Sequence, residues 1–285
     1  MKKRKEKRIM TQERIEGYCL WLQETEKSRG TISKYYYYLC QLQTFLGRTQ
    51  VSRENVVLWK EALRRRLSPL TVNCALAAVN GFFRYYGWDG CVTKLYKVSR
   101  KIFCPEEREL LQEEYVRLVR QARENGNERM ELLLQTMAST GIRVSELPFI
   151  TLETAGSGVA EVDCKGRIRK IFLCRELCRR LTDYARRSGI TSGMLFITRT
   201  GRPMDRSNIW RAMKKLGEQA GVGTRKVFPH NLRHLFARSY YQMEKDLGKL
   251  ADLLGHSSIN TTRIYTMESG KNHIRQLERL ELLVE

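Results

Sequence analysis

A mainly α-helical chain in two domains, with one small antiparallel sheet, is the fold class this sequence predicts. Three features carry that reading. Apolar residues recur at three- and four-residue steps from Thr11 to Tyr86. The periodicity then fails from Trp88 to Cys104, ahead of Pro105. Further on, two alternating runs, Val159 to Cys164 and Arg169 to Cys174, flank Lys165-Gly166-Arg167. Steps of three and four bury one face of a helix, loss of period beside Gly and Pro marks a linker, and period-two runs around a short turn make a hairpin.

Residues 1–10 are a basic tail: Lys2 to Arg8 carry the charge and no apolar run follows, so no signal peptide is expected. A helical domain spans 11–87. Its first helix carries Ile15, Tyr18, Cys19 and Leu22. After Ser28-Arg29-Gly30 a second carries Ile32, Tyr35, Leu39, Leu42, Phe45 and Leu46, stopping at Gly47. Ser52 is placed as the N-cap of a third, with Val56, Val57, Trp59 and Leu63. Ser68-Pro69 opens the fourth, since proline suits the first helical position, and Val72, Leu76, Val79, Phe82 and Phe83 carry it to Gly87.

Residues 88–105 are expected to be the linker and 106–285 the second domain. There, helices are expected over Leu110 to Arg123, Met130 to Ser139, Leu177 to Arg187 and Arg206 to Ala220, with the hairpin inserted before the third. More helices follow Asn231, with Gly255 as a stop and Ser257 or Ser258 as the next N-cap. The segment 269–285 is amphipathic, with Ile274, Leu277, Leu280 and Leu283 near helical spacing. An apolar face at a chain end often marks a partner surface, the alternative being a helix folded back on its own domain.

A formal charge of +21, from 52 Lys and Arg against 31 Asp and Glu, calls for a polyanionic partner, because clustered cations gain affinity by releasing counterions from phosphates. The eight cysteines are scattered without a C-x-x-C pair, as in a reduced compartment. No run of about 18 apolar residues is present to cross a membrane. A cytoplasmic protein, nucleoid-associated when bound to DNA, is expected. His230 and His234 have H-x-x-x-H spacing, but Asn231 stands where a zincin motif needs glutamate, so no metal is expected. No G-x-x-x-x-G-K-[ST] loop occurs, and no cofactor is expected.

The residues that carry chemistry lie in five places. They are Thr140-Gly141-Ile142-Arg143-Val144-Ser145-Glu146-Leu147, then Lys165, then His230-Asn231-Leu232-Arg233-His234, then Leu254-Gly255-His256, and Tyr265 nine positions later. Cleaving a phosphodiester needs donors for the charge that grows on the non-bridging oxygens, and two forked guanidiniums, Arg143 and Arg233, suit that task. An isolated arginine is ordinarily a surface residue; these two sit beside Leu147 and Leu232 in apolar surroundings. Tyrosine, with a reference pKa of about 10, is a poor nucleophile unless a base or strong positive surroundings assist it. His230 is the candidate base for Tyr265, directly or through water, and His256 the candidate donor to a phosphate oxygen. His234 is read as structural.

With these motifs the sequence resembles the tyrosine recombinase, or phage integrase, family, most closely its Xer-type members, over about Thr11 to Glu285. The resemblance implies a two-domain clamp around duplex DNA, made of a helical core-binding domain and a catalytic domain. It implies catalytic roles for Arg143, Lys165, His230, Arg233 and His256, with Tyr265 as nucleophile forming a 3′-phosphotyrosine. Lys165 is then the general acid for the leaving 5′ hydroxyl. The hairpin is one residue tighter than the family's usual pattern, so Arg167, Arg169 or Lys170 stand as substitutes. Glu146 resembles the family's acidic residue that orients Arg143 or a histidine; its spacing of three from Arg143 would set both on one helical face.

The resemblance further implies a homotetramer on two synapsed sites, strand exchange through a Holliday junction, and the 269–285 helix packed on a neighbouring subunit. A directionality factor or partner recombinase is compatible with it. The residues before Thr11 are too few for a folded arm-binding domain. Thr31, Ser33, Lys34 and Arg84 are candidate contacts to the DNA backbone, beside the aromatic run Tyr35 to Tyr38. Two alternatives stand beside this reading: a type IB topoisomerase, against which the N-terminal helical domain and terminal helix argue, and a catalytically silent DNA-binding regulator, against which the complete residue set argues.

Overall fold

The structure is a computed structural model that describes residues 7–98, 106–163, 168–256 and 258–265, with isolated positions 274, 278 and 279. The turn residue Lys165, the possible cap Ser257 and all but three positions of the 269–285 segment lie outside the described residues. The chain divides into two compact units, Met1–Arg100 and Lys101–Glu285. It is mainly α, and among the described residues the only sheet is one antiparallel pair.

The first unit holds α1 (Gln12–Glu24), α2 (Arg29–Leu46), α3 (Arg53–Arg64) and α4 (Pro69–Tyr85). Each begins on a hydroxyl. Thr11, Ser28, Ser52 and Ser68 accept from the backbone N–H groups of Arg14, Thr31, Asn55 and Thr71, satisfying donors that the helix itself leaves open. Ile15, Leu22, Leu39, Leu42, Val56, Leu76, Phe82 and Phe83 meet in one apolar core. At Gly81 a Cβ would lie 2.4 Å from the Tyr18 hydroxyl, so glycine is what lets α1 and α4 approach.

The stretch after α4 departs from the expected linker. Trp88 and Cys91 are buried in the first core. Asn80 exchanges two hydrogen bonds with the backbone of Thr93 (2.8 and 3.0 Å), and Asn73, two turns earlier on α4, does the same with Tyr96 (2.9 and 2.8 Å). Two carboxamides thus hold an extended chain as a neighbouring strand would. The chain is pinned as far as Tyr96, and 99–105 lie outside the described residues.

The second unit runs α5 (Gln112–Glu124), α6 (Glu128–Thr140), a 3₁₀ turn (Val144–Phe149), α7 (Leu152–Ser157), β1 (Val159–Asp163), β2 (Ile168–Phe172), α8 (Arg175–Arg187), α9 (Arg206–Gln219), α10 (Pro229–Glu244), α11 (Leu247–Leu254) and α12 (Ile259–Tyr265). Leu118, Leu133, Met137, Ile150, Leu181, Ile209, Met213 and Leu232 anchor its core. In the hairpin Ala160 pairs with Ile171 and Val162 with Arg169, and these four side chains form the buried face. Gly141 ends α6 in the left-handed conformation (φ 64°), and a Cβ there would meet the Phe236 ring at 2.4 Å. That close approach sets the end of α6 against α10.

Candidate active site

Helix α10 brings the chemistry together by its period. His230, Arg233 and His234, at i, i+3 and i+4, share one face. Pro229 fills the first helical position, and Asn231, flanking that face, fastens the start of the helix by donating to the carbonyls of Arg108 (2.8 Å) and Lys226 (2.7 Å).

Arg233 is fully buried. Its Nη1 donates to the Gly141 carbonyl at the end of α6, and its Nη2 to the Leu254 carbonyl at the end of α11 (2.7 Å). Both acceptors lie where a helix leaves its last carbonyls unmatched, at the negative pole of the backbone dipoles. The Nε–H has no partner among the described residues, which leaves one buried donor over. Burial, chiefly, with Arg143 nearby, lowers the Arg233 pKa to about 10, so it remains a cation at neutral pH.

His256 follows the left-handed Gly255 (φ 63°) that stops α11. Its Nε2 lies 2.8 Å from Arg233 Nη2 and its Nδ1 2.9 Å from the Thr262 hydroxyl. A guanidinium only donates, so Nε2 accepts, the ring proton sits on Nδ1, and Nδ1–H donates to Thr262. Burial first, then the charges of Arg233, Arg143 and Arg169, push the His256 pKa down to about 4, which keeps this tautomer neutral. A donation from Nε2 to phosphate would need that nitrogen protonated and released by Arg233.

The Tyr265 ring is buried among these groups. It stacks on His234 (centroids 4.5 Å apart, planes 27°), lies 5.0 Å from His256 and 5.2 Å from His230, and has the Arg233 guanidinium 5.5 Å from its centroid. His234 also hydrogen-bonds to the Tyr265 backbone, and burial drives its pKa down to about 3. The stack gives that residue a positioning contact with Tyr265. Burial and the neighbouring Arg233, Arg143 and Arg206 also lower the His230 pKa, so His230 is neutral at pH 7 and able to accept a proton.

Arg143 and Glu146 meet in a manner their spacing does not foretell. Arg143 is extended (φ −78°, ψ 151°) at the start of the 3₁₀ turn, off any helical face. Glu146 reaches back to accept from the Arg143 backbone N–H (2.8 Å) and from its Nη1 (2.9 Å). The Arg143 side chain stays 36% exposed while that of Glu146 is buried, so the carboxylate props an arginine whose remaining edge is accessible. Burial alone would raise the Glu146 pKa. The Arg143 N–H and the charges of Arg169 and Arg143 outweigh it and hold the group ionised.

Two further residues belong to this assembly. Arg169, offered as a stand-in for Lys165, faces inward: Nη1 donates to the Leu254 carbonyl (2.5 Å) and Nη2 lies 3.3 Å from Glu146 Oε2. Its alternation with Ile171 on β2 was the available signal. Thr262 is fully buried one turn before Tyr265, inside a polar run that reads as spacer. Lys170 takes the outer face of the hairpin, 3.6 Å from Glu161. The second unit thus brings Arg143, Glu146, His230, Arg233, His256 and Tyr265 into one cluster. In the first unit, Thr31 is engaged with the Ser28 hydroxyl (2.9 Å), while Ser33, Lys34 and Arg84 are exposed. Among the described residues no three His, Cys, Asp or Glu side chains stand together as metal ligands, and no helix is long and apolar enough to cross a membrane.

Comparison with known proteins gives the family. Residues 108–271 match the phage integrase family and residues 15–90 the phage integrase N-terminal SAM-like domain. The chain belongs to the phage integrase family, whose members cleave and rejoin DNA in site-specific recombination. Within it the chain is of the Xer tyrosine recombinase type. It is 27% identical to tyrosine recombinase XerA of Pyrococcus furiosus over 97% of this chain and 96% of that protein. It is 30% identical to tyrosine recombinase XerC of Roseiflexus castenholzii over 89% and 88%. The fold is shared with the XerH recombinase bound to its difH substrate (TM-score 0.70, 20% identity, 96% of this chain and 85% of that one). It is also shared with a λ integrase dimer on a core site (TM-score 0.75, 16% identity, 92% and 96%).

Proposed function

We propose that Tyr265 is the nucleophile and that Arg143, Arg233, His230 and His256 form the phosphate-activating site of this recombinase. The observation that carries the reading is the burial of the Tyr265 ring against Arg233 and three histidines. The Tyr265 Oη attacks phosphorus and forms an O–P bond as the bond from phosphorus to the 5′ oxygen breaks. The phenolic proton passes to neutral His230, directly or through water, and the departing 5′ oxygen takes a proton from Lys165. Arg143, through its open edge, and Arg233, through its spare Nε–H, neutralise the charge on the five-coordinate phosphorus. His256 acts through Arg233, whose Nη2 it holds, and Glu146 through Arg143. The phosphodiester energy is retained in the tyrosyl linkage, so the reverse reaction reseals the strand.

The substrate is duplex DNA, with exposed Ser33, Lys34 and Arg84 of the helical unit toward the backbone. A tetramer on two sites, joined by the 269–285 segment, exchanges strands through a Holliday junction. Support comes from relatives whose structures are described as a recombinase on its substrate and as a λ integrase tetramer on a Holliday junction. Such an enzyme works in the cytoplasm on the nucleoid, alone or with a directionality factor or a partner recombinase. The test is a nicked suicide duplex taken from the DNA flanking the protein's own gene. An SDS-resistant adduct is expected with the native chain and none with Tyr265→Phe. Tight binding without an adduct on every candidate site would contradict the reading and favour a DNA-binding regulator.

A further inference from the structure

We infer that Arg169 is a positioning residue of the recombination chemistry, locking Arg143 and Arg233 into one rigid unit through Glu146 and the Leu254 carbonyl; this rests on the reading above. The contacts form one continuous chain. From Glu146, whose carboxylate holds the Arg143 N–H and Nη1 at 2.8 and 2.9 Å, the path crosses 3.3 Å to Arg169 Nη2. From Arg169 Nη1 it crosses 2.5 Å to the Leu254 carbonyl, which also takes Arg233 Nη2 at 2.7 Å, and Nη2 in turn meets His256 at 2.8 Å.

Arg169 is therefore bound to the supports of both phosphate-binding arginines. It also abuts the hinge of His256. A Cβ on Gly255 would lie 2.5 Å from Arg169 Cδ, so the guanidinium stem packs flat on the glycine that turns the chain toward that histidine. A buried guanidinium gives up its hydration, a penalty that apolar packing of the same volume would avoid. The hairpin's inner face otherwise carries Ala160, Val162 and Ile171, where an aliphatic residue would be the ordinary choice. A planar fork that bridges a carboxylate and a carbonyl in fixed directions is what lysine or leucine does not supply.

The test separates binding from chemistry. For the full-length native chain, Arg169→Lys, Arg169→Met, Glu146→Gln and the double variant Glu146→Gln/Arg169→Met, one measures the Kd for a single site and the single-turnover rate of adduct formation at saturating protein. The expected results are that Arg169→Met slows cleavage about 10- to 100-fold with Kd within about twofold, as for residues that orient a catalytic group. Arg169→Lys should recover part of the loss, and the double variant should be slowed no more than about threefold beyond the slower single, since both substitutions break the same chain of contacts. Full cleavage by Arg169→Met, or multiplicative losses in the double variant, would overturn the inference. Should Arg169→Met fail to fold, the same decision rests on Arg169→Lys, whose native cleavage rate would overturn it. Absence of an adduct in the native chain would instead refute the nucleophile assignment, a distinguishable failure.

Discussion

The two units bury different kinds of side chain. In the first, Asn80 and Thr93 are the buried polar residues among those described, and both serve to hold one strand-like segment. In the second, Glu146, Arg169, Asn231, Arg233, Arg238 and Thr262 lie buried beside apolar neighbours. Arg238 donates to the Leu110 carbonyl (2.7 Å) and pairs with Glu109 (3.2 Å), which fastens the start of this unit to α10. An apolar core gains stability from area removed from water, whereas a buried ionic layer spends it on direction. The first unit is therefore a scaffold that tolerates volume-conserving exchange, and the second holds charge in place for a reaction.

The widest separation should come from paired substitutions in the two units. Arg233→Lys replaces three anchored contacts by one ammonium that cannot reach Gly141, Leu254 and His256 together, and single-turnover cleavage should fall about 10²- to 10³-fold. Leu76→Ala, in the fully buried centre of the first core, should cost about 2–5 kcal/mol in denaturant unfolding of that unit. Its cleavage rate once saturated on DNA should stay within about threefold of native. A large loss of bound-state rate in Leu76→Ala would erase the distinction.

Acid should divide the units next. All four histidines lie beyond residue 229, so the first unit has none. His234 and His256 have folded pKa values depressed to about 3 and about 4, below the unfolded value of about 6.5. The unfolded chain then binds more protons as pH falls through that interval. Stability of the second unit is fully present above about 6.5 and declines as pH drops toward 4. Hydrogen exchange followed peptide by peptide at pH 7 and pH 5 should show protection falling in α10 to α12 and holding in α1 to α4. Equal loss in both would contradict the histidine account.

Smaller effects refine the scaffold. Asn80→Ala leaves the Thr93 backbone N–H and carbonyl without their partner and should cost about 1–3 kcal/mol, released as faster exchange in 88–96. Ser68→Ala removes the cap of α4 and should cost about 1 kcal/mol. Neither should alter cleavage by saturated protein.

Legibility in the sequence follows the same division. Helices α1 to α4 were readable because most of their core residues are apolar and periodic, and their caps are hydroxyls at fixed offsets. Trp88 to Tyr96 was not, since an extended segment held by two asparagines of another helix has no period of its own. In the second unit the motif residues were readable as residue types, and the tyrosine recombinase fold and activity with them. Their contacts were harder. Glu146 serves Arg143 through a reversed turn rather than a helical face, and Thr262 is a hydroxyl in a polar run whose burial depends on α12 packing beside α10. Arg169 carries a charge that argues for solvent, and only its period-two alternation with Ile171 placed it inside.

The most direct measurement maps the covalent bond. After reaction with a suicide substrate whose fragments are distinguished by end label, the adduct is digested with trypsin and sequenced by mass spectrometry. The nucleotide is expected on the peptide Ile264 to Lys271, at Tyr265, its one tyrosine, linked through a 3′ phosphate with a free 5′ hydroxyl on the released strand. Attachment at another residue, or through a 5′ phosphate, would contradict the account.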